Sequence, residues 1–230
     1  MHLKYCSITG ADDAVDIAEL SEIAEKYPFA EWAILRLPAR EGKPRFPTVA
    51  WMRKFTEAFD SRPTAMHLCD QALLDFISGE PEILGLMTGF RRIQLNLKFG
   101  DMAGKYDPEE LVARIIRFPQ WQFIIQYGKD KSDLLPLLAD VPHHAVLFDE
   151  SAGRGISPES WEPPLTGHFC GYAGGMTPEN VGKNLEMIAK AAKGQTTWID
   201  METGVRTDDK FDLDKVRRVL EIAKPYAAKA

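Results

Sequence analysis

The chain has 230 residues, a net charge of −6 and a hydrophobic fraction of 45%. That length suits one large domain or two small ones, and the acidic balance without a basic tract argues against nucleic-acid binding. Short apolar runs argue against a membrane span and the polar opening Met1-His2-Leu3-Lys4-Tyr5-Cys6 against a secretory leader. The scattered cysteines Cys6, Cys69 and Cys170 read as reduced thiols of a cytoplasmic protein.

One alternation runs through the chain. A first strand at about Leu3–Ser7 precedes a helix from about Asp12, with Ile17, Leu20 and Ala24 on its apolar face. Strand two is Trp32–Leu37, with a helix from about Thr48 to Phe59. Strand three, Thr64–Cys69, leads into helical stretches between Gln71 and Met87. Strand four is Arg92–Leu97, and Leu111, Val112, Ile115 and Ile116 mark its helix. Strand five, Gln122–Tyr127, is followed by a short helix near Ser132–Leu138. Strand six is Ala145–Asp149, with room only for a short helix after Pro158. Strand seven is Phe169–Ala173, with a helix from Pro178. Strand eight is Thr197–Met201, and Val216, Val219, Leu220 and Ala223 mark the last helix.

Eight strand–helix units in this length predict a (β/α)8 barrel formed by residues 1–230 as one domain. Alternating strands and helices imply parallel pairing, because parallel neighbours need a crossover. An open doubly wound sheet has the same alternation, but eight units without a long insertion fit closure better. Either fold puts the site at the carboxyl ends of the strands.

The segment Gly171-Tyr172-Ala173-Gly174-Gly175-Met176-Thr177-Pro178-Glu179-Asn180-Val181 is the most informative local pattern. It reads as a strand end, two glycines and a helix start, with Thr177 as N-cap and Pro178 in the first helical position. Paired glycines there let an anion approach backbone N–H groups. The other strand ends carry Cys6, Arg36, His67, Asp70, Asn96, Gln126, Asp149, Asp200 and Glu202. His67 and Cys69 share a strand face, but a third metal ligand would have to come from elsewhere, so no metal or other cofactor is expected. His143-His144 begins strand six, the face of a barrel associated with stability.

Three blocks resemble the phosphoribosylanthranilate isomerase family, the tryptophan-pathway barrel enzymes. Leu3-Lys4-Tyr5-Cys6-Ser7-Ile8-Thr9 is similar to the family's opening strand ending Cys-Gly-Ile/Leu-Thr. Leu147-Phe148-Asp149, followed by Gly153-Arg154-Gly155 and Trp161, resembles its Leu-Leu-Asp, glycine-rich loop and tryptophan. Ala173-Gly174-Gly175-Met176-Thr177-Pro178-Glu179-Asn180-Val181 resembles its Gly-Gly-Leu-x-Pro-Glu-Asn-Val. A weaker match is Asp200-Met201-Glu202-Thr203-Gly204-Val205 to Asp-x-Ser-Ser-Gly-Val.

The resemblance implies a barrel of the ribulose-phosphate-binding type that catalyses an Amadori rearrangement, aminoaldose phosphate to aminoketose phosphate. It implies Asp149 as the acid that protonates the ring oxygen and Cys6 as the base that takes the C2 proton. It further implies Arg45 on the substrate carboxylate, and Gly174, Gly175, Glu202, Thr203 and Gly204 around the phosphate. A small, anionic substrate follows from this, with no nucleic-acid or membrane partner. The chain also departs from the family. Ser7 replaces a glycine, Asn96 a histidine, Glu202 a phosphate-binding serine, and Arg206 a glutamate. A carboxylate about 4 Å from a phosphate charge costs on the order of 4 kcal/mol at an effective dielectric near 20. Glu202 therefore has to point away or be neutralised by Arg206 or Arg154, or the anion differs. The alternatives are a barrel enzyme acting on an unphosphorylated acid or sugar, and a ligand-binding barrel without catalysis.

Overall fold

The computed structural model describes residues 1–97, 102, 104–127, 134–149 and 157–227. Its strands are β1 (His2–Thr9), β2 (Ala30–Arg36), β3 (Thr64–Cys69), β4 (Arg92–Asn96), β5 (Gln122–Tyr127), β6 (His144–Asp149), β7 (Cys170–Ala173) and β8 (Thr196–Met201). They pair in sequence order, all parallel, and β8 closes on β1, so the sheet is a barrel. The predicted closed fold holds, and each predicted strand lies on an observed one.

The surrounding helices are α1 (Ile17–Lys26), α2 (Val49–Ala58), α3 (Gln71–Ser78), α4 (Pro81–Met87), α5 (Pro108–Ile116), α6 (Leu134–Leu137), α7 (Val181–Ala192) and α8 (Leu213–Ala223). Thr48, at the predicted helix start, caps α2, its hydroxyl accepting from the Trp51 N–H. Gly79, at φ 84°, ends α3, and Pro81 starts α4 in its first turn. Helix α1 begins later than predicted, at Ile17. Residues Asp12–Val15 instead form a turn, and Asp16 supplies the cap by accepting from Ala18 N–H.

The short helix expected after Pro158 is not found: residues 157–169 carry bends and turns only. An antiparallel hairpin of β9 (Arg206–Thr207) and β10 (Lys210–Phe211) follows β8. It was not predicted, because two-residue strands are too short for a period to register.

Strand alternation sorts the side chains into two layers. Cys6, Ile8, Trp32, Ile34, Met66, Leu68, Ile93, Leu95, Val146, Tyr172 and Ile199 join Leu20, Phe55, Phe76, Leu111, Leu185 and Val216 of the helices in one apolar core. Polar residues line the inside of the barrel. Near its amino end, Glu31 and Arg92 form a 2.8 Å ion pair with side chains 1% and 3% exposed. Ser7 donates to Glu31, and Arg92 Nε donates to Gln122 at 2.9 Å. The Arg92 guanidinium lies 4.2 Å from the Trp198 ring centre and 5.0 Å from that of Tyr5.

The indole of Trp198 rests directly on the Gly171 backbone: a Cβ added there would lie 2.1 Å from Trp198 Cε2. Gly171→Ala is therefore expected to destabilise by about 1–3 kcal/mol through overpacking. The urea midpoint reads this, and an unchanged midpoint would show that the indole moves freely.

Candidate functional site

A cavity of about 460 Å³ opens at the carboxyl ends of the strands. It is lined by His67 (β3), Gln94 and Asn96 (β4), Gln126 (β5), Asp149 (β6), Asp200 (β8), and residues of the loops after β2, β7 and β8, with Lys215 from α8.

Two of its carboxyl groups share one level. Asp149, Ala173 and Asp200 are register partners across β6, β7 and β8. Asp149 and Asp200 are thus two strand spacings apart, roughly 10 Å between backbones, with both side chains at the cavity. Thr9 Oγ1 donates to Asp200 Oδ1 at 2.6 Å, and Gln126 Nε2 approaches Asp149 Oδ2 at 3.4 Å. Burial pushes the Asp200 carboxyl up to about 7, and the charges of Glu202, Glu31 and Asp149 add to that, against the Thr9 hydrogen bond. Asp200 is thus poised to hold or release a proton near neutrality.

Cys6 does not reach this cavity. Ser7 and Thr9, one and three residues further along β1, turn inward to Glu31 and Asp200. Cys6, of the opposite parity on the strand, faces the helices with Ile8 and is 0% exposed. Burial, then the charges of Asp200 and Glu31, push its thiol well above the ordinary range, the opposite of what a thiolate base requires. A bulge between Leu3 and Tyr5 on the β8 side shifts the strand register just before Cys6. The sequence-expected pair of Cys6 and Asp149 is therefore not assembled.

Arg45 does lie at the mouth, with left-handed backbone at φ 77°. Its guanidinium is already engaged by Glu202 Oε1 at 2.6 Å and Asp209 Oδ1 at 2.8 Å. Arg45 is therefore the cation that neutralises Glu202. Arg206 instead binds Asp12 at 3.1 Å and the Gly10 carbonyl at 2.6 Å, and Gly153, Arg154 and Gly155 lie outside the described residues.

The glycines after β7 form part of the cavity rim. Gly174 (φ 144°) and Gly175 (φ 55°) line the cavity. Ser157 Oγ donates to both carbonyls, at 3.2 and 3.0 Å, and Asn180 Nδ2 donates to that of Gly175 at 2.8 Å. Thr177 and Asn180 form a reciprocal cap. Thr177 Oγ1 accepts from Glu179 N–H at 3.2 Å, and Asn180 Oδ1 accepts from Thr177 N–H at 2.8 Å. The regular part of α7 begins beyond them, at Val181. Gly204, with Thr203 beside it, closes the rim: a Cβ on Gly204 would lie 1.8 Å from the Met176 carbonyl oxygen.

Sequence reasoning missed Lys215. It lies in the first turn of α8, lines the cavity, and donates to the Arg206 carbonyl at 2.6 Å. A cation in a helix first turn opposes the macrodipole, and that was the available signal.

Among the described residues no group of three or more His, Cys, Asp or Glu could hold a metal ion, and no helix is long and apolar enough to cross a membrane. His144 sits at the amino end of β6, its ring hydrogen-bonded to the Val141 carbonyl and to His168 at 3.1 Å, away from the cavity.

No protein-family model matches the chain, and neither does any curated protein. Solved structures do. The N-(5'-phosphoribosyl)anthranilate isomerase from Pyrococcus furiosus is similar with a TM-score of 0.57 and 17% identity, over 97% of this chain and 100% of that one. The phosphoribosyl anthranilate isomerase from Thermococcus kodakaraensis gives 0.57 and 14%, over 96% and 99%. A designed cube-shaped cage of fused oligomeric domains gives 0.55 and 12%, over 98% of this chain and 74% of that one. The likeness at these identities is one of fold.

Proposed function

We propose that the protein is an aldose–ketose isomerase acting on a small phosphorylated aldose or aminoaldose, with an N-phosphoribosyl amine of the tryptophan pathway as the first candidate. The observation that carries this reading is the pair Asp149 and Asp200, level with each other in one cavity whose rim is Gly174, Gly175, Gly204 and Lys215.

The reaction needs a proton delivered to the ring oxygen and another removed from C2. Asp200, holding its proton up to about pH 7, is the donor. Ring opening leaves an iminium or aldehyde at C1. Asp149 then takes the C2 proton, and the electron pair of that C–H bond becomes the enolamine or enediol double bond. A proton returns to C1 as the C2 hydroxyl gives up its own to become the carbonyl, which completes the ketose. Lys215 and the glycine rim receive the phosphate. Glu202 is tolerable beside it because Arg45 neutralises the carboxylate.

A second reading, an unphosphorylated sugar or acid, draws on the same pair: with Arg45 committed to Glu202 and Asp209, the mouth has one cation fewer for an anion.

The test is turnover of N-(5'-phosphoribosyl)anthranilate, together with rescue of a tryptophan auxotroph lacking the isomerase. Asp149→Asn should lower kcat by about 10²–10⁴-fold. Cys6→Ala should keep most of the activity, because the thiol faces the helices. A Cys6→Ala variant as inactive as Asp149→Asn would sink the assignment.

A further inference from the structure

His67 lies on β3, between Leu35 of β2 and Gln94 of β4 in register, and its side chain lines the cavity. It is 3% exposed. The polar side chains around it have partners, apart from the Gln126 Oε1 atom. Thr9 holds Asp200, Gln94 donates to Asn96 at 2.8 Å, Asn96 donates to Cys69 Sγ at 3.1 Å, and Gln126 approaches Asp149. Among the described residues the His67 ring has no hydrogen-bond partner, and its nitrogens are not among the fully enclosed unpartnered polar atoms, so they open onto the cavity. An imidazole at the wall of a cavity with both nitrogens unused is a group whose partner is brought by a ligand.

The ring's charge state is set by its surroundings. Burial pushes His67 down to about 3, and Arg92 below it works in the same direction. At neutral pH the ring therefore offers one N–H and one lone pair and no net charge. A neutral imidazole N–H is suited to an oxygen that gains negative charge during reaction, because it stabilises that oxygen by a hydrogen bond without surrendering a proton to it.

We propose that His67 is a further catalytic residue, a neutral hydrogen-bond donor to the carbonyl oxygen of an open-chain aldose bound against Asp149 and Asp200. On an aldose it polarises the C1 carbonyl and stays neutral through the cycle, while the carboxyl pair carries the protons; on an aminoaldose, where C1 carries nitrogen after ring opening, the contact falls on the C2 oxygen that becomes the ketose carbonyl. This rests on the isomerase reading for the identity of the oxygen. The contact itself requires only that an aldose phosphate binds.

The probe is D-ribose 5-phosphate, added to protein carrying ¹⁵N-labelled histidine. The His67 ring signals should stay those of a neutral imidazole down to pH 5 and should shift when the sugar phosphate saturates the site. His67→Leu should weaken binding about tenfold, the worth of one buried hydrogen bond, and lower kcat on any aldose phosphate that is turned over. His67→Gln, which keeps a donor, should recover most of both. Binding with a moving His67 signal but no turnover of either ribose 5-phosphate or N-(5'-phosphoribosyl)anthranilate would end the isomerase reading and leave this contact standing. Turnover or binding with unmoved ring signals would overturn the contact alone, and a folded wild-type protein that binds no aldose phosphate would overturn both. If His67→Leu does not fold, the wild-type ring signals still decide.

Discussion

Asp200→Asn should cost about 10²–10⁴-fold in kcat on an aldose phosphate and should also uncover a loss of stability on acidification. The sign follows from proton binding. An ordinary Asp titrates at 3.8, whereas Asp200 in the fold titrates at about 7. Between those values the native state keeps a proton that the unfolded chain releases, so stability falls as pH rises from 4 to 7. The difference of about three pH units, at about 1.4 kcal/mol per unit, amounts to on the order of 4 kcal/mol.

His67 contributes a slope of the opposite sign. Its ordinary value of 6.5 falls to about 3 on folding. Its contribution is full above 6.5 and is lost on acidification, by on the order of 5 kcal/mol. The two nearly cancel between pH 4 and 6.5. Asp200→Asn removes only the first, so its stability should drop on acidification from 6.5 and exceed that of the wild type at pH 8. His67→Gln should show the reverse, a decline toward pH 7. Urea unfolding at pH 4.5, 6 and 8 measures all three proteins. Parallel profiles would show that neither group titrates as its burial demands.

The second large effect lies deeper. Arg92→Met leaves Glu31 buried without its cation, and breaking such a pair from one side costs about 3–5 kcal/mol. Glu31 would retain only the Ser7 hydroxyl. The double change Glu31→Leu with Arg92→Met removes both charges and should recover most of that loss. Arg92→Met should also raise His67 toward its ordinary value, since the charge that opposes its protonation is gone. Chemical denaturation of the single and double variants gives the coupling. A single variant within 1 kcal/mol of the wild type would mean that water reaches Glu31.

The barrel was legible because each strand is a short apolar run followed by a helix-period face, and these signals are local. Thr48 as a cap and Gly79-Glu80-Pro81 as a break are equally local. So is the turn of Gly174 and Gly175 ahead of the Thr177 cap. The direction of Cys6 was not legible, because it depends on a one-residue bulge and on Ser7 meeting Glu31, 24 positions away. The engagement of Arg45 by Glu202 joins residues 157 positions apart. Asp12 was expected to open a helix. Instead it accepts from the Arg45 N–H at 2.7 Å and from Arg206, a use that no window around Asp12 contains.

The ring of Tyr5, Phe169 and Trp198 around the Arg92 guanidinium has a kinetic meaning. Among the described residues it stoppers the barrel behind the cavity, so a ligand that enters at the carboxyl ends of the strands leaves at the same end. Under the proposed isomerase reading, accumulated product would then compete with incoming reactant for a shared entrance, and turnover would slow as the reverse traffic builds.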